Sequence, residues 1–74
     1  MKRYLIKVTI HEFELLYGKD NKKIQYFGKP AKVENIIKYG YKTARGAQYN
    51  LNWHNECNAS FGNPHKVELI EVGV

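Results

Sequence analysis

Residues 4–17 read YLIKVTIHEFELLY. Tyr4, Ile6, Val8 and Ile10 recur at every second position, with Lys7 and Thr9 between them. Side chains on an extended strand alternate between its two faces, so this spacing predicts a strand over 4–10. After Ile10 the apolar positions move to odd numbers: Phe13, Leu15 and Tyr17. A one-residue slip in a period of two predicts a bulge near His11–Glu12, or else the end of the first strand there. Either way the chain is committed to a sheet, and the remaining residues must supply its partners and its cover.

Downstream, Gly18-Lys19-Asp20-Asn21 is turn chemistry, because Gly, Asp and Asn tolerate unusual backbone angles. Residues 22–28 follow as a second strand with Ile24 and Tyr26 on one face, which makes a hairpin. Between 30 and 40 the pattern is mixed. Pro30 at a first helical position, Val33, Ile36 and Ile37 at helical spacing, and Gly40 as a stop favour a short helix or turn over 32–38. Val33, Ile37, Tyr39 and Tyr41 also alternate as a strand would. Thr43 is a good N-cap, and Ala44, Ala47, Leu51 and His54 mark one face of a helix over 44–56. Gly46 inside that helix suggests close packing on the sheet. Residues 58–64 read as a loop and 66–72 as a final strand. The expected fold is α+β: a small antiparallel sheet of three or four strands with one main helix on one face, in the order β-β-(α)-α-β.

The chain has 74 residues, one cysteine and a net charge of +5. One core fits in that length, so a single domain over 1–74 is expected. A lone Cys57 excludes an internal disulfide and suits a reducing compartment. Lys7 interrupts the apolar run of MKRYLIKVTI after three residues, which argues against a signal-peptide core. No stretch approaches the ~20 apolar residues of a membrane span. A cytoplasmic location with no membrane partner is the expectation. The charge is uneven. Residues 19–45 carry eight basic side chains against Asp20 and Glu34, an excess of +6, while the flanking segments come to +1 and −2.

Within that middle third, cations and rings interleave: Lys22, Lys23, Tyr26, Lys29, Lys32, Lys38, Tyr39, Tyr41, Lys42 and Arg45. Rings among cations suit stacking on unpaired bases or anchoring a protein contact. The plainer alternative is a solvated lysine face with tyrosines packed at the core edge. Base-edge reading leans on Arg, so a lysine-rich surface favours contact with phosphates. Lys38, Lys42 and Arg45 are expected on one exposed surface. His54, Cys57 and His65 fall within twelve residues and raise a zinc site, which needs a fourth ligand from His11 or Glu56. The alternative is a buried thiol beside loop histidines. A Cys-His nucleophile would further need an oxyanion hole and a cleft. No paired carboxylates and no phosphate-cradling Gly loop point to an enzyme, and no cofactor is called for. Trp53 reads either as a lid on the core edge or as an exposed anchor.

The run YGYKTARGAQYNL, Tyr39 to Leu51, resembles a pattern in small proteins of phages and mobile elements, as does the closing HKVELIEV from His65 to Val72. The turn is also similar to that of arm-type DNA-binding domains of phage integrases, where a Gly-aromatic-Lys-Thr turn leads from a three-stranded sheet into a helix. The likeness covers about a third of the chain, and residues 31–38 are inserted relative to the arm pattern. Gly40, Tyr41, Lys42, Thr43 and Ala47 match it, and of these the resemblance gives only Lys42 a ligand-contacting role. It implies a non-enzymatic binding protein acting on a nucleic-acid-handling host complex, as anti-CRISPR proteins and other defence inhibitors do. Its partner would be a host protein or nucleoprotein. Direct DNA or RNA binding through phosphates is the alternative expectation, and a metal-stabilised structural domain is another.

Overall fold

The computed structural model describes residues 1–62 and 64–74. Four antiparallel strands form one sheet: β1 (Lys2–Ile10), β2 (Phe13–Tyr17), β3 (Lys23–Gln25) and β4 (Lys66–Gly73), in the order β3-β2-β1-β4. Two helices separate β3 from β4: α1 (Val33–Tyr39) and α2 (Ala44–Ser60). The class is α+β with a small sheet and a main helix, as the sequence predicts.

The slip after Ile10 is the end of a strand. Ile10 pairs with Phe13 across a two-residue turn, and His11 takes a positive φ of 57°. Cross-strand partners share a face, so even positions of β1 and odd positions of β2 lie together: Ile6 with Tyr17, Val8 with Leu15. The hairpin reflects the pattern and needs no extra residue at His11–Glu12. A register shift does occur between β2 and β3, at Leu16 and Tyr17. In the next turn Asp20 and Asn21 both adopt positive φ. β3 is short, because the chain turns back at Phe27-Gly28 and Tyr26 pairs with Lys29.

Both faces of the sheet are covered at one end. Ile6, Val8 and Leu15 pack with Ala47 of α2 and with Tyr41. Leu5, Leu16 and Ile24 pack with Ile36 of α1 on the opposite face. Further along that second face the sheet is polar: Lys7 Nζ lies 3.0 Å from Glu14 Oε2 and 3.1 Å from Glu68 Oε1. Those two carboxylates, Glu14 foremost, hold the Lys7 ammonium above its ordinary pKa.

Helix boundaries follow local chemistry. α1 starts at Val33 with Lys32 as cap, so Pro30 stands outside it, in the turn before. Thr43 caps α2 as the sequence predicts, with its Oγ1 accepting from the Gly46 N–H at 3.0 Å. Gly46 is exposed, and a Cβ there would press on Thr43 Oγ1 at 3.1 Å; its role is at the cap and not against the sheet. α2 runs one turn past the expected end, through Asn58 to Ser60. The Asn58 side chain both donates to the His65 carbonyl (2.6 Å) and accepts the His65 N–H (3.1 Å), which fixes the return into β4. The loop read over 58–64 is thereby shortened, and its position 63 lies outside the described residues.

The chain crosses from the α1 face to the α2 face through Gly40–Thr43. There Tyr41 exchanges backbone hydrogen bonds with Tyr4, taking the edge of β1 that β2 vacates after Tyr17. The crossing is tight. A Cβ on Gly18 would sit 2.3 Å from the Tyr39 carbonyl oxygen, and one on Gly40 2.4 Å from that of Ile36. Arg3 Nε donates to the Ile37 carbonyl at 3.2 Å and ties the end of α1 to β1. We expect Gly18→Ala to destabilise the fold by about 1–3 kcal/mol, since backbone must move to make room. Gly73→Ala, with open space around it, should stay within ~0.5 kcal/mol. Denaturant unfolding of both variants checks the contrast; equal effects would mean the crossing is loosely packed.

Candidate functional site

β3, the 26–31 turn and the start of α1 enclose a shallow hollow of about 270 Å³. Lys22, Lys23, Lys29 and Lys32 line it, together with Tyr26 and Asn35. Among the described residues no carboxylate lines it. Gln25 holds the adjoining turn in place: its side-chain amide donates to the Glu14 carbonyl at 3.0 Å and accepts the Ala31 N–H at 3.3 Å. That clamp folds Lys29 and Lys32 back toward Lys22 and Lys23, which the sequence separates by up to ten positions.

Tyrosine rings hold the ammonium groups. Lys29 Nζ lies 5.6 Å from the centre of the Tyr26 ring, and Lys23 Nζ 5.8 Å from that of Tyr17. Lys22 and Lys38 share the Tyr39 ring, at 5.5 and 5.3 Å. A cation over a ring face is attracted by its quadrupole, worth ~0.5–1 kcal/mol where exposed. The rings gather the cations without neutralising them. Among the described residues the ion pairs all fall on Lys2 and Lys7, with Glu71, Glu14 and Glu68. The carboxylates of β2 and β4 are therefore paired on the sheet itself, while Glu12 and Glu14 border a separate hollow of about 400 Å³ on the other side of Tyr26 and Lys29.

The residues singled out in the sequence divide accordingly. Lys22, Lys23, Tyr26, Lys29 and Lys32 meet around the hollow, and Lys38 joins through Tyr39, which is half-buried. Tyr41 is not part of this surface. It is 9% exposed, packed in the core, and its hydroxyl accepts from the Asn50 side-chain amide. Burial, foremost, raises its pKa. Lys42 and Arg45 are exposed, Lys42 in the crossing segment and Arg45 in the first turn of α2, on the other side of the sheet from Lys38.

A second hollow, of about 260 Å³, lies under the C-terminal half of α2. His54, Cys57 and His65 all line it, with Val8 and Val67 as its floor. Among the described residues, however, no three His, Cys, Asp or Glu side chains converge as metal ligands would. His54 is turned toward Asn21 Oδ1 (3.1 Å) and leans on the Tyr17 ring. Further aromatics are exposed: Tyr49 on the crest of α2 is 81% exposed, and Phe13, which the alternation assigns to the apolar face with Leu15, is 44% exposed and meets Phe27 edge to face at 4.7 Å. Trp53 is 46% exposed and stands against His54. No helix among the described residues is long and apolar enough to cross a membrane.

Comparison of the chain with protein families, curated proteins and solved structures returns no match.

Partial burial holds the His54 imidazole below its ordinary pKa of 6.5. The fold thus favours the neutral ring, and that contribution to stability is complete above 6.5 and declines as the pH falls below it. We expect the wild-type melting temperature to drop between pH 7 and pH 5 by more than that of His54→Gln. Parallel drops would show that His54 carries none of the acid sensitivity.

Proposed function

We propose that this chain is a non-enzymatic binding protein that attaches to a nucleic-acid-handling complex by contacting nucleic-acid phosphates with its β3-edge lysine face. The observation that supports this most is the cluster itself: Lys22, Lys23, Lys29 and Lys32 around one hollow that no carboxylate among the described residues lines. Like charges brought this close repel, and a phosphate among them relieves that repulsion. The neighbouring Tyr26 ring, 41% exposed, offers a face on which an unpaired base can stack. A lysine ammonium is a point charge on a flexible stem, suited to backbone phosphates more than to reading base edges.

The narrower form of this reading is occlusion: a small phage- or mobile-element-type protein sits on a host defence complex and blocks its nucleic-acid path. A protein contact within such a complex is favoured by one specific feature, the exposed Tyr49 and Trp53 on α2, since Tyr and Trp are the residues that most often anchor interfaces.

Fluorescence anisotropy of labelled duplex DNA, single-stranded DNA and RNA across a salt series tests the phosphate reading. We expect binding whose log affinity falls linearly with log salt, with a slope of about −3 to −4 on duplex if four lysines each neutralise a phosphate. Changing Lys22, Lys23, Lys29 and Lys32 together to Gln should remove most of that slope while the circular dichroism stays unchanged. No binding at low salt, or undiminished binding by the variant, overturns it.

A further inference from the structure

The two edges of the sheet differ. β3 is short and bordered by the 26–31 turn, whereas β4 is eight residues long and nothing among the described residues pairs with its outer side. Backbone alternation shows which groups are open. The Val74 N–H donates to the Met1 carbonyl at 2.7 Å, and the β1–β4 register places Lys2 opposite Gly73. In an antiparallel pair the residues that exchange hydrogen bonds alternate with those whose N–H and C=O point away. Even positions of β4 therefore bond to β1, and Val67, Leu69, Glu71 and Gly73 direct their backbone groups outward. Tyr4 gives the same phase: its own backbone groups are spent on Tyr41, on the far side from β4. An open edge of this length is a template for another strand.

α2 narrows what that strand belongs to. It packs on β1 and β4, the two strands nearest this edge of the sheet. Its 17 residues carry only two charges, Arg45 and Glu56. Gln48, Asn52, Asn55 and Ala59 are all exposed and form one stripe. They lie on the flank away from His54 and Asn50, which reach toward Asn21 and Tyr41. Charge is depleted in the centres of protein interfaces, and none of these four residues carries any, with Arg45 and Glu56 at the rim of the stripe.

We propose that two copies of this chain associate through β4, joining their sheets into one of eight strands with the two α2 helices side by side. With β4 next to β4 of the second copy, helices lying over the β1–β4 pairs stand about two strand spacings apart, ~10 Å. That is within the range at which helices pack, and the facing stripes are the uncharged ones. A foreign extended peptide would satisfy the strand but leave the α2 flank uncovered. The helices extend a strand pair toward the ~1,200–2,000 Å² of a stable interface. Face matching requires odd residues opposite odd residues. Centring the pair on Ile70 sets Leu69 opposite Glu71 and Val67 opposite Gly73 of the other copy, which engages all four outward-facing residues. Glu68 then faces Val72, so no like charges meet directly. This association is independent of the lysine face, which lies at the far edge of each sheet.

Multi-angle light scattering over a concentration series tests it, with Glu71→Pro as the variant. Proline there removes an outward N–H and leaves the β1 pairing intact, a placement strands tolerate at an edge. We expect the wild type at twice the 8.7 kDa chain mass and Glu71→Pro at the chain mass. Hydrogen exchange on the wild type gives a reading that needs no variant: the amides of Val67, Leu69, Glu71 and Gly73 should be slowed as much as their inward-facing neighbours. A wild type at the chain mass at every concentration, a Glu71→Pro variant that keeps the doubled mass, or free exchange at those four amides overturns the proposal.

Discussion

Leu5 and Ile6 are adjacent in the chain, both 0% exposed, and on opposite faces of β1. One strand that buries side chains on both faces needs cover above and below it. α2 provides one cover through Ala47 and Leu51, and α1 the other through Ile36. Burying a Leu or Ile is worth about 1.5–3 kcal/mol each, a large share of the stability of so short a chain. The route of the backbone follows from that need. Two consecutive helices on opposite faces require the chain to cross the sheet between them, and the crossing runs through Tyr41 alongside Tyr4.

The same constraint produces the lysine face. α1 is short and covers only one end of its face, so the rest of that face is filled by ion pairs among Lys7, Glu14 and Glu68. Those pairs engage the carboxylates of β2 and β4 with Lys7. The segment that leads into α1 must fold back beside β3 to place Ile36 over Leu5 and Ile24, and it carries Lys29 and Lys32 with it. Charge segregation and core cover are thus two consequences of one chain path. Exposed ion pairs of this kind contribute little stability singly, so their value here lies in where they leave the remaining charge.

Much of this was legible in the residues. Alternation marked β1 and β2, Thr43 marked the start of α2, and the Lys/Tyr interleaving marked the segment that forms the hollow. What escaped was non-local. A one-residue slip looks alike whether it is a bulge or a two-residue turn, and only the pairing of Ile10 with Phe13 separates them. The extension of α2 to Ser60 depends on a contact between Asn58 and His65 across the loop. Tyr41 groups with the contact residues because rings and cations interleave along 22–45, yet its backbone completes the β1 edge and its ring lies in the core, the plainer alternative. His54, Cys57 and His65 do meet at one hollow, but the helix turns His54 toward Asn21.

The central functional claim is that the lysine hollow at the β3 edge is where an anionic partner lands. Amide chemical-shift mapping during titration with a short oligonucleotide locates that landing residue by residue. Shifts concentrated at residues 22–32 and at Lys38 and Tyr39, with α2 and β4 unmoved, are the expected result. Shifts centred on α2, or spread thinly over every exposed lysine, would contradict it.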